Sequence, residues 1–362
     1  MGVAMRQLGS VSGNSYNSKM DMLRRCAPVT ALIAVFLTIP LVLGYWGSAH
    51  PALDSFAHFR LHLSAFIAVL ALPSLMDRRW ASISFALLLL AIAATASTLA
   101  NPSGVAIANA SAHIEEAGPA RYKLLQMNLR YDNPQPKDVL SLIARHQPDV
   151  ITLDEVSDYW REELKFIEHA YPHQIICTGT SHIGGVAILS RRPFLHPSQA
   201  DCLSRGSLAI ATVNFSGSAV DIGAIHLGWP WPHGQHWHAG RIEPILQSRL
   251  GSSAILAGDL NAVWWSHTAR MIANAGELKS LGNIGPTWLF RGAPDFLRRY
   301  AGLPIDNLFF KGRVVPASVK RLPTTGSDHL PVLLEFGIVP VDEQPSMQVR
   351  TRQLPLEMKK AG

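Results

Sequence analysis

The chain has 362 residues, of which 48% are hydrophobic and only 16% charged, and its formal net charge is +6 at pH 7. This composition is too apolar for an ordinary soluble enzyme and indicates membrane-spanning segments. Much of the positive charge lies near the two ends of the chain. The region after Arg121 is only mildly basic, so it does not have the broad basic stripe typical of proteins that bind nucleic acid tightly.

The N-terminal third predicts a disordered segment followed by a membrane region. Residues 1–26 are polar and rich in Ser, Asn and Gly, and we predict that they are disordered and cytoplasmic. The membrane region covers 27–100, and its apolar segments lie near 29–47, 59–76 and 80–100. We predict about three transmembrane helices. A hydrophobic core helix is the alternative for the middle segment, because its uncharged part is short for a span.

The distribution of Lys and Arg predicts the orientation in the membrane. Basic residues cluster before the first segment and between the second and third, as Lys19, Arg24, Arg25, Arg78 and Arg79. The positive-inside rule then places the N-terminus in the cytoplasm and the C-terminal region outside it. We therefore expect a multi-pass protein of the inner or plasma membrane with a periplasmic or extracellular catalytic domain. If the middle segment does not cross, the C-terminal region returns to the cytoplasm.

The C-terminal two thirds predict one α/β domain. Residues 101–120 have the composition of a linker, the domain covers 121–339, and 340–362 form a polar tail that we predict to be disordered. Strand patterns such as "VITLDEV" alternate with helical patterns such as "PKDVLSLIARHQPD", and four strand patterns follow one another in the middle. This order favours two packed mixed β-sheets flanked by helices.

The positions of the three cysteines raise the question of a disulfide. Cys26 abuts the first apolar segment, whereas Cys177 and Cys202 lie in the C-terminal domain. A Cys177–Cys202 disulfide is compatible with an extracytoplasmic location, and a pair of free thiols is the alternative.

Polar side chains recur where the predicted strands begin or end. They are Asn128, Glu155, His226, Asp259, Asn261, Asp306, Asp328 and His329. Each one alone has an ordinary structural explanation as a turn former, a solvated residue or a core histidine. Because strand ends are where a rigid scaffold meets solvent, a set of this size predicts one shared pocket.

The motifs around these residues resemble the endonuclease/exonuclease/phosphatase superfamily, which includes DNase I-like nucleases, inositol polyphosphate 5-phosphatases and neutral sphingomyelinases. The matching segments are "LLQMNL", "DVITLDEV", "GGVAILSRRPF", "IHL", "ILAGDLNA", "IDNLFF" and "GSDHLPV". They follow the order of the family across nearly all of 121–339. The layout is also similar to a bacterial subgroup with N-terminal transmembrane helices. The resemblance implies a four-layer α/β sandwich with its site at one edge of the sheets.

The resemblance also implies a metal site. Asn128 and Glu155 would hold a divalent cation through oxygen, with Asp328 nearby. Such donors suit Mg²⁺, and Mn²⁺ is the alternative.

Catalytic roles follow from the same resemblance. Asp259 would orient or deprotonate the attacking water, and Asn261 would bind a phosphate oxygen. His329 would lie across the scissile phosphate, with its tautomer fixed by Asp306, and His226 would donate to a second phosphate oxygen.

Two positions depart from the family pattern. Asp154 stands where the family often has Gln, and it could either add to the metal ligands or point away. Asn307 stands where His, Tyr or Arg is more common, which puts contacts with the substrate in doubt.

The segment Gly228–Arg241, "GWPWPHGQHWHAGR", is expected to be an aromatic loop beside His226. Trp229 and Trp231 are candidate substrate-binding residues that would stack on a base or enter a lipid interface. Aromatic loops also pack on themselves, which is the structural alternative. The histidines of this segment match no specific metal-site spacing.

These observations favour a membrane-anchored, metal-dependent hydrolase that cleaves a phosphodiester in a phospholipid or a nucleic acid. Its expected partners are the lipid bilayer and the phosphoester substrate, and no protein partner can be deduced. The alternatives are a nuclease proper and a catalytically silent membrane scaffold with the same fold.

Overall fold

The computed structural model describes residues 26–100 and 120–339. The predictions of disorder for the two ends and of a linker therefore concern 1–25, 340–362 and 101–119, which lie outside the described residues.

The predicted membrane region contains four helices: α1 (Cys26–Leu43), α2 (Pro51–Ala57), α3 (Arg60–Ala71) and α4 (Ala81–Leu99). Helices α1 and α4 are long and apolar enough to cross a membrane. The middle segment passes that test only as a bent pair, in which α2 and the segment Arg60–Met76 meet at 59°.

The helices of this region bury small side chains and expose large apolar ones. Ala34, Ala71 and Ala91 are buried where the helices pack, whereas Phe36 and Ile92 are 68% and 65% exposed. Small residues at helix contacts and apolar residues facing outward are typical of membrane bundles.

The middle segment runs along the whole length of α1. At one end Arg60 donates a hydrogen bond to the carbonyl oxygen of Gly44, just after α1. At the other end Ser74 Oγ donates to the carbonyl oxygen of Ala27, in the first turn of α1, at 2.8 Å. The two segments therefore lie side by side over the same length.

Residues 120–339 contain twelve strands: β1 (Tyr122–Asn128), β2 (Val150–Val156), β3 (His173–Ile176), β4 (Gly185–Ser190), β5 (Asp201–Leu203), β6 (Leu208–Phe215), β7 (Ser218–Ile225), β8 (Ala254–Asp259), β9 (Lys279–Ser280), β10 (Asp306–Lys311), β11 (Val314–Arg321) and β12 (Val332–Ile338). Its helices are α5 (Pro136–His146), α6 (Asp158–Leu164), α7 (Gln235–Arg249), α8 (His267–Ala275) and α9 (Arg298–Ala301).

The strands form two packed mixed sheets, as predicted. Their orders are β11-β12-β1-β2-β4-β3 and β5-β6-β7-β8-β10-β9. The pairs β1–β2 and β7–β8 are parallel, and the other pairs are antiparallel.

Side chains of successive strand residues point to opposite faces, which divides the domain into layers. Leu124 packs between the sheets, whereas Leu125 packs against α5 and α6. Helices α7 and α8 cover the outer face of the second sheet. The result is the four-layer sandwich.

Two elements differ from the sequence-based expectation. The expected loop Gly228–Arg241 is partly helical, because α7 begins at Gln235 after Gly234, whose φ is 83°. Pro244 lies inside this helix, where it cannot donate a backbone hydrogen bond. The edge strand β11 is not apparent from the sequence because Pro316 and a bulge interrupt it.

The membrane region contacts the domain through α2. Trp265 Nε1 donates to the carbonyl oxygen of Ala57 at 2.7 Å. The carboxylate of Asp54 accepts hydrogen bonds from the backbone nitrogens of His267 and Thr268 at 2.6 and 2.9 Å. A side chain of the membrane region thus lies at the N-terminus of α8, where a negative charge is favoured.

Candidate active site

Strand ends from both sheets meet at one edge of the sandwich. In the second sheet, Asp259 ends β8 directly opposite Asp306, which begins β10. In the first sheet, Asn128 ends β1 opposite Asp154 in β2. His329 lies just before β12 and pairs through its backbone with Trp288. The fold therefore brings the predicted polar side chains together.

Asp259 is at the centre of this group. Its Oδ2 atom accepts a hydrogen bond from Asn128 Nδ2 at 3.1 Å. The same atom is 3.8 Å from His226 Nε2 and 3.6 Å from His329 Nε2. Burial raises the pKa of Asp259 to about 6, although the charge of His329 opposes the rise. A carboxyl group with a pKa near neutrality is suited to proton transfer.

His329 and Asp306 form a buried ion pair. His329 Nδ1 is 2.8 Å from Asp306 Oδ2. Burial alone would lower the pKa of His329, but the charges of Asp306 and Asp259 raise it to about 10. Burial would likewise raise the pKa of Asp306, but the charge of His329 and its hydrogen bond lower it below the ordinary value. The Nε2 atom of a protonated His329 therefore faces the group around Asp259.

The buried side chains of Asp154 and Gln126 hydrogen-bond to these residues. Asp154 Oδ2 accepts hydrogen bonds from Gln126 Nε2 at 3.1 Å and from the backbone nitrogen of Asp259 at 2.8 Å. Gln126 Nε2 also donates to Asp306 Oδ1 at 3.1 Å. Burial and the charge of Asp259 raise the pKa of Asp154 well above its ordinary value. Asp154 therefore connects the two sheets through its hydrogen bonds.

Gln126 did not emerge as a functional candidate from the sequence, although a signal was present. It alternates with Leu124 and Asn128 on the inward face of β1, where an uncharged amide needs a buried partner.

The residues predicted to hold a metal present oxygen atoms. Glu155 accepts hydrogen bonds from Asn128 Nδ2 at 3.1 Å and from the backbone nitrogen of Tyr131 at 2.9 Å. Asn128 Oδ1 accepts from the backbone nitrogen of Arg130 at 2.9 Å. The Oδ2 atom of Asp328 accepts from Trp288 Nε1 at 3.3 Å.

This donor set fits a magnesium-type ion. Within residues 26–100 and 120–339, no three or more His, Cys, Asp or Glu side chains are grouped so as to enclose a metal. Mg²⁺ commonly binds through one or two carboxylates and keeps several of its waters. Glu155 is half-buried at this edge. It therefore suits an ion that keeps several waters better than an ion enclosed by protein ligands.

Asn261 and Asn307 hold the turn after β8. Asn261 donates from its backbone nitrogen to Asp259 Oδ1 at 2.7 Å and from Nδ2 to the carbonyl oxygen of Leu227 at 2.9 Å. Asn307 is buried, and its Nδ2 donates to the carbonyl oxygens of Ala262 and Ile305, both at 2.8 Å. The departure from the family pattern at Asn307 therefore concerns the shape of the turn.

His238 is a neighbouring residue to which the sequence assigns no role in the site. Its Nδ1 accepts from the backbone nitrogen of Gly228 at 3.2 Å, so Nε2 carries the proton that faces Ser207 Oγ at 2.8 Å. Burial, followed by the charges of Arg241 and His226, lowers the pKa of His238 to about 4. The uncharged ring positions Ser207, whose carbonyl oxygen accepts from the backbone nitrogen of His226 at 2.9 Å.

Trp229 and Trp231 are both more than half exposed beside the site. They line a cavity of about 420 Å³, named here the junction cavity, together with Phe59, Trp288, Leu303 and Asn261. A second cavity of about 740 Å³, the polar cavity, is lined by His226, Arg205, Arg241 and glycine-rich backbone at Gly184 and Gly206.

A disulfide joins Cys177, directly after β3, to Cys202 in β5, and it thereby links the edges of the two sheets. Cys26 is free and exposed.

This fold and its edge site are those of a phosphoester hydrolase of the α/β-sandwich class. The model of the Endonuclease/Exonuclease/phosphatase family matches residues 125–329, which is more than half of the chain, and the protein belongs to that family. Members of the family typically hydrolyse phosphoesters. No curated protein matched the chain in a sequence comparison.

Solved structures of three different proteins have a similar fold. An endonuclease/exonuclease/phosphatase from Beutenbergia cavernae is 19% identical, with a TM-score of 0.48 over 60% of this chain and 72% of that one. D. rerio TDP2 complexed with single strand DNA product is 19% identical, with a TM-score of 0.48 over 60% of this chain and 99% of that one. A beta toxin mutant from Staphylococcus aureus with bound magnesium ions is 13% identical, with a TM-score of 0.44 over 61% and 100%.

Proposed function

We propose that this protein is a membrane-anchored, divalent-metal-dependent phosphodiesterase whose catalytic domain lies outside the cytoplasm. The observation that carries the proposal is the arrangement around Asp259. One carboxylate oxygen lies within 4 Å of an amide and two imidazoles, and one of these imidazoles is ion-paired with a second buried carboxylate.

Each side chain has a defined task in hydrolysis. Asp259 orients a water molecule and accepts its proton as the water oxygen attacks phosphorus. His329, held by Asp306, donates a hydrogen bond to a phosphate oxygen, and the P–O ester bond breaks as the leaving oxygen takes up a proton from solvent water. His226 donates to another phosphate oxygen. Asn261 Nδ2 donates one of its two hydrogens to the carbonyl oxygen of Leu227. Its second hydrogen would donate to a phosphate oxygen.

A divalent ion held by Glu155, with Asn128 and Asp328 as neighbouring oxygen donors, would neutralise negative charge on the phosphate.

Two cavities that adjoin the site support a diester over a monoester. The polar cavity reaches His226 and the junction cavity reaches Asn261, and both of these residues contact or adjoin Asp259. A phosphate with two organic substituents would have room for both.

Three features support the membrane anchor and its orientation. The apolar outer faces of α1, α3 and α4 suit lipid, and the contacts of the middle segment along the length of α1 support a third crossing. An odd number of crossings with a cytoplasmic N-terminus places the domain outside. A disulfide between the sheet edges suits an oxidising compartment.

A nuclease is the second candidate, and Arg205 and Arg241 in the polar cavity favour it. Guanidinium groups beside a catalytic centre are suited to a phosphate backbone.

The decisive experiment uses the full chain in nanodiscs with Mg²⁺, with Mn²⁺ or with EDTA. Substrates are glycerophospholipids, sphingomyelin, DNA, RNA and inositol phosphates. Asp259→Asn is the inactive comparison, and Asp138→Asn, at an exposed position in α5, is the matched control. Metal-dependent turnover that is lost only in Asp259→Asn supports the proposal. A folded protein without turnover on any of these substrates favours the silent scaffold.

A further inference from the structure

The junction cavity is built by two parts of the chain. Its catalytic-domain wall contains Trp229, Trp231 and Leu303, and its other wall contains Ser55, His58 and Phe59 from the end of α2 and the start of α3. The two walls are fixed to each other, because His58 Nε2 donates to the carbonyl oxygen of Asn261 at 3.1 Å. The membrane region therefore completes a cavity that reaches the catalytic site.

The lining of this cavity favours an apolar occupant. Most of its side chains are tryptophan, phenylalanine, leucine, isoleucine or alanine, and none of the lining residues in the described part of the chain is Lys or Arg. A nucleic acid strand requires cations opposite its phosphates. Trp229 and Trp288 meet edge to face at 86°, which does not provide two parallel faces for stacked bases.

The position of the cavity also favours an apolar occupant. Phe59 directly precedes Arg60, whose side chain contacts Gly44 at the end of α1, so this wall lies where the apolar helices end. His50, just after that end, has its ring 6.5 Å from that of Trp231. A cavity at this level is open to molecules that reside in the bilayer.

The polar cavity, whose lining adjoins that of the junction cavity at Gly228 and Trp229, has the complementary chemistry. The polar cavity contains Arg205 and Arg241, and it reaches Asp259 through His226. A substrate that spans both cavities would have a polar group on one side of its phosphate and a hydrocarbon group on the other.

We propose that the junction cavity binds the hydrocarbon chain of a lipid phosphodiester, and that α2 and α3 form part of that subsite. This inference rests on the proposed phosphodiesterase function and names its substrate class. Such a subsite uses apolar burial to hold the lipid while its phosphate lies at Asp259.

Photocrosslinking tests occupancy without requiring turnover. The full-length Asp259→Asn protein is placed in nanodiscs of phosphatidylcholine that contain a phosphatidylglycerol probe with a diazirine in its acyl chain. After irradiation, mass spectrometry maps the modified residues. We expect adducts at Phe59, Trp231 and Leu303 in addition to adducts on the outward faces of α1 and α4. Adducts confined to those outward faces would overturn the inference while leaving the proposed hydrolase activity intact.

Filling the cavity tests its use in turnover. Ala301 is exposed at the end of α9 and lines the cavity, so Ala301→Trp places an indole in it. The matched control is Ala219→Trp, at an exposed position in β7 that lines neither cavity. Each protein is assayed with the same phospholipid carrying long or short acyl chains, and with bis(p-nitrophenyl) phosphate.

Ala301→Trp should lower kcat/KM for the long-chain lipid, relative to the chain-free diester, by about tenfold or more, because excluding even a few methylene groups has an effect of this size. The Ala219→Trp ratio should equal that of the wild type. An equal loss on all substrates, or hydrolysis of DNA or RNA without hydrolysis of lipid, would refute the lipid subsite.

Discussion

The carboxylate of Asp54 in the membrane region accepts two hydrogen bonds from Thr268 in the catalytic domain, one from its backbone nitrogen and one from its hydroxyl group, each 2.9 Å long. These residues are 214 positions apart in the chain. Because Asp54 is buried, the loss of its carboxylate would leave donors at the start of α8 without their partner. The membrane region is therefore part of the structural support of the catalytic domain.

Asp54→Ala should destabilise the catalytic domain by roughly 1–3 kcal/mol, the usual range for buried donors that lose an acceptor or a helix cap. Thermal unfolding of the full-length protein in detergent, followed by intrinsic tryptophan fluorescence, measures the change. Asp138→Ala, at an exposed position in α5, is the control. Equal unfolding temperatures for both variants and the wild type would contradict a capping role.

Asp306→Asn should lower kcat by roughly 10²–10⁴, the usual contribution of a positioned acid–base pair. The asparagine keeps the size of the side chain but removes the charge that favours protonated His329. Steady-state kinetics with a circular dichroism spectrum separate this effect from misfolding. Turnover near that of the wild type would show that the ion pair has no catalytic role.

Substitutions of the neighbouring acids Asp154 and Glu155 should have different effects on the Mg²⁺ requirement of the enzyme. Glu155→Gln removes the carboxylate proposed to hold the ion, and it should raise the Mg²⁺ concentration for half-maximal activity by about tenfold or more. Asp154→Asn keeps an oxygen that can accept from Asp259 and Gln126, so its Mg²⁺ requirement should stay near that of the wild type. A titration of activity with Mg²⁺ compares the two. A similar shift in both variants would mean that Asp154 also acts on the metal.

His238 should make stability depend on pH below neutrality. Its pKa of about 4 in the folded protein is lower than its ordinary value of 6.5, so the unfolded chain binds more protons between these values. The stabilisation is fully present above pH 6.5 and is lost as the pH falls towards 4. Denaturant unfolding from pH 4 to 7 should give a steeper fall in stability for the wild type than for His238→Gln. The control is His169→Gln, at an exposed site, and a slope in His238→Gln as steep as that of this control would contradict the prediction.

The sequence predicts the convergence of Asp259, Asp306 and His329 because strand ends in a two-sheet sandwich share an edge. It does not reveal the role of Asp154, since a carboxyl group in an apolar strand can face either the metal side or the space between the sheets. That choice depends on Gln126, a residue of the neighbouring strand.

The contact between α2 and α8 is also beyond sequence reasoning. An acid in "PALDSFA" and a threonine in "SHTARMIANA" are both common helix-start residues, and each has a local interpretation. The packing of Ala57 with Val263 and Trp265, just before α8, and the hydrogen bonds of Asp54 hold the two helices together.

The proposed topology predicts where a fused reporter is active. Alkaline phosphatase, which requires disulfides, is fused after Gly362 in the wild type and in a variant that lacks residues 48–76. Three crossings in the wild type place the reporter outside, whereas removal of the middle segment leaves two crossings and returns it to the cytoplasm. Reporter activity should therefore be high in the wild type and low in the deletion variant. A cytoplasmic fluorescent protein at the same position provides the reciprocal control, and an active phosphatase in both forms would refute the crossing by the middle segment.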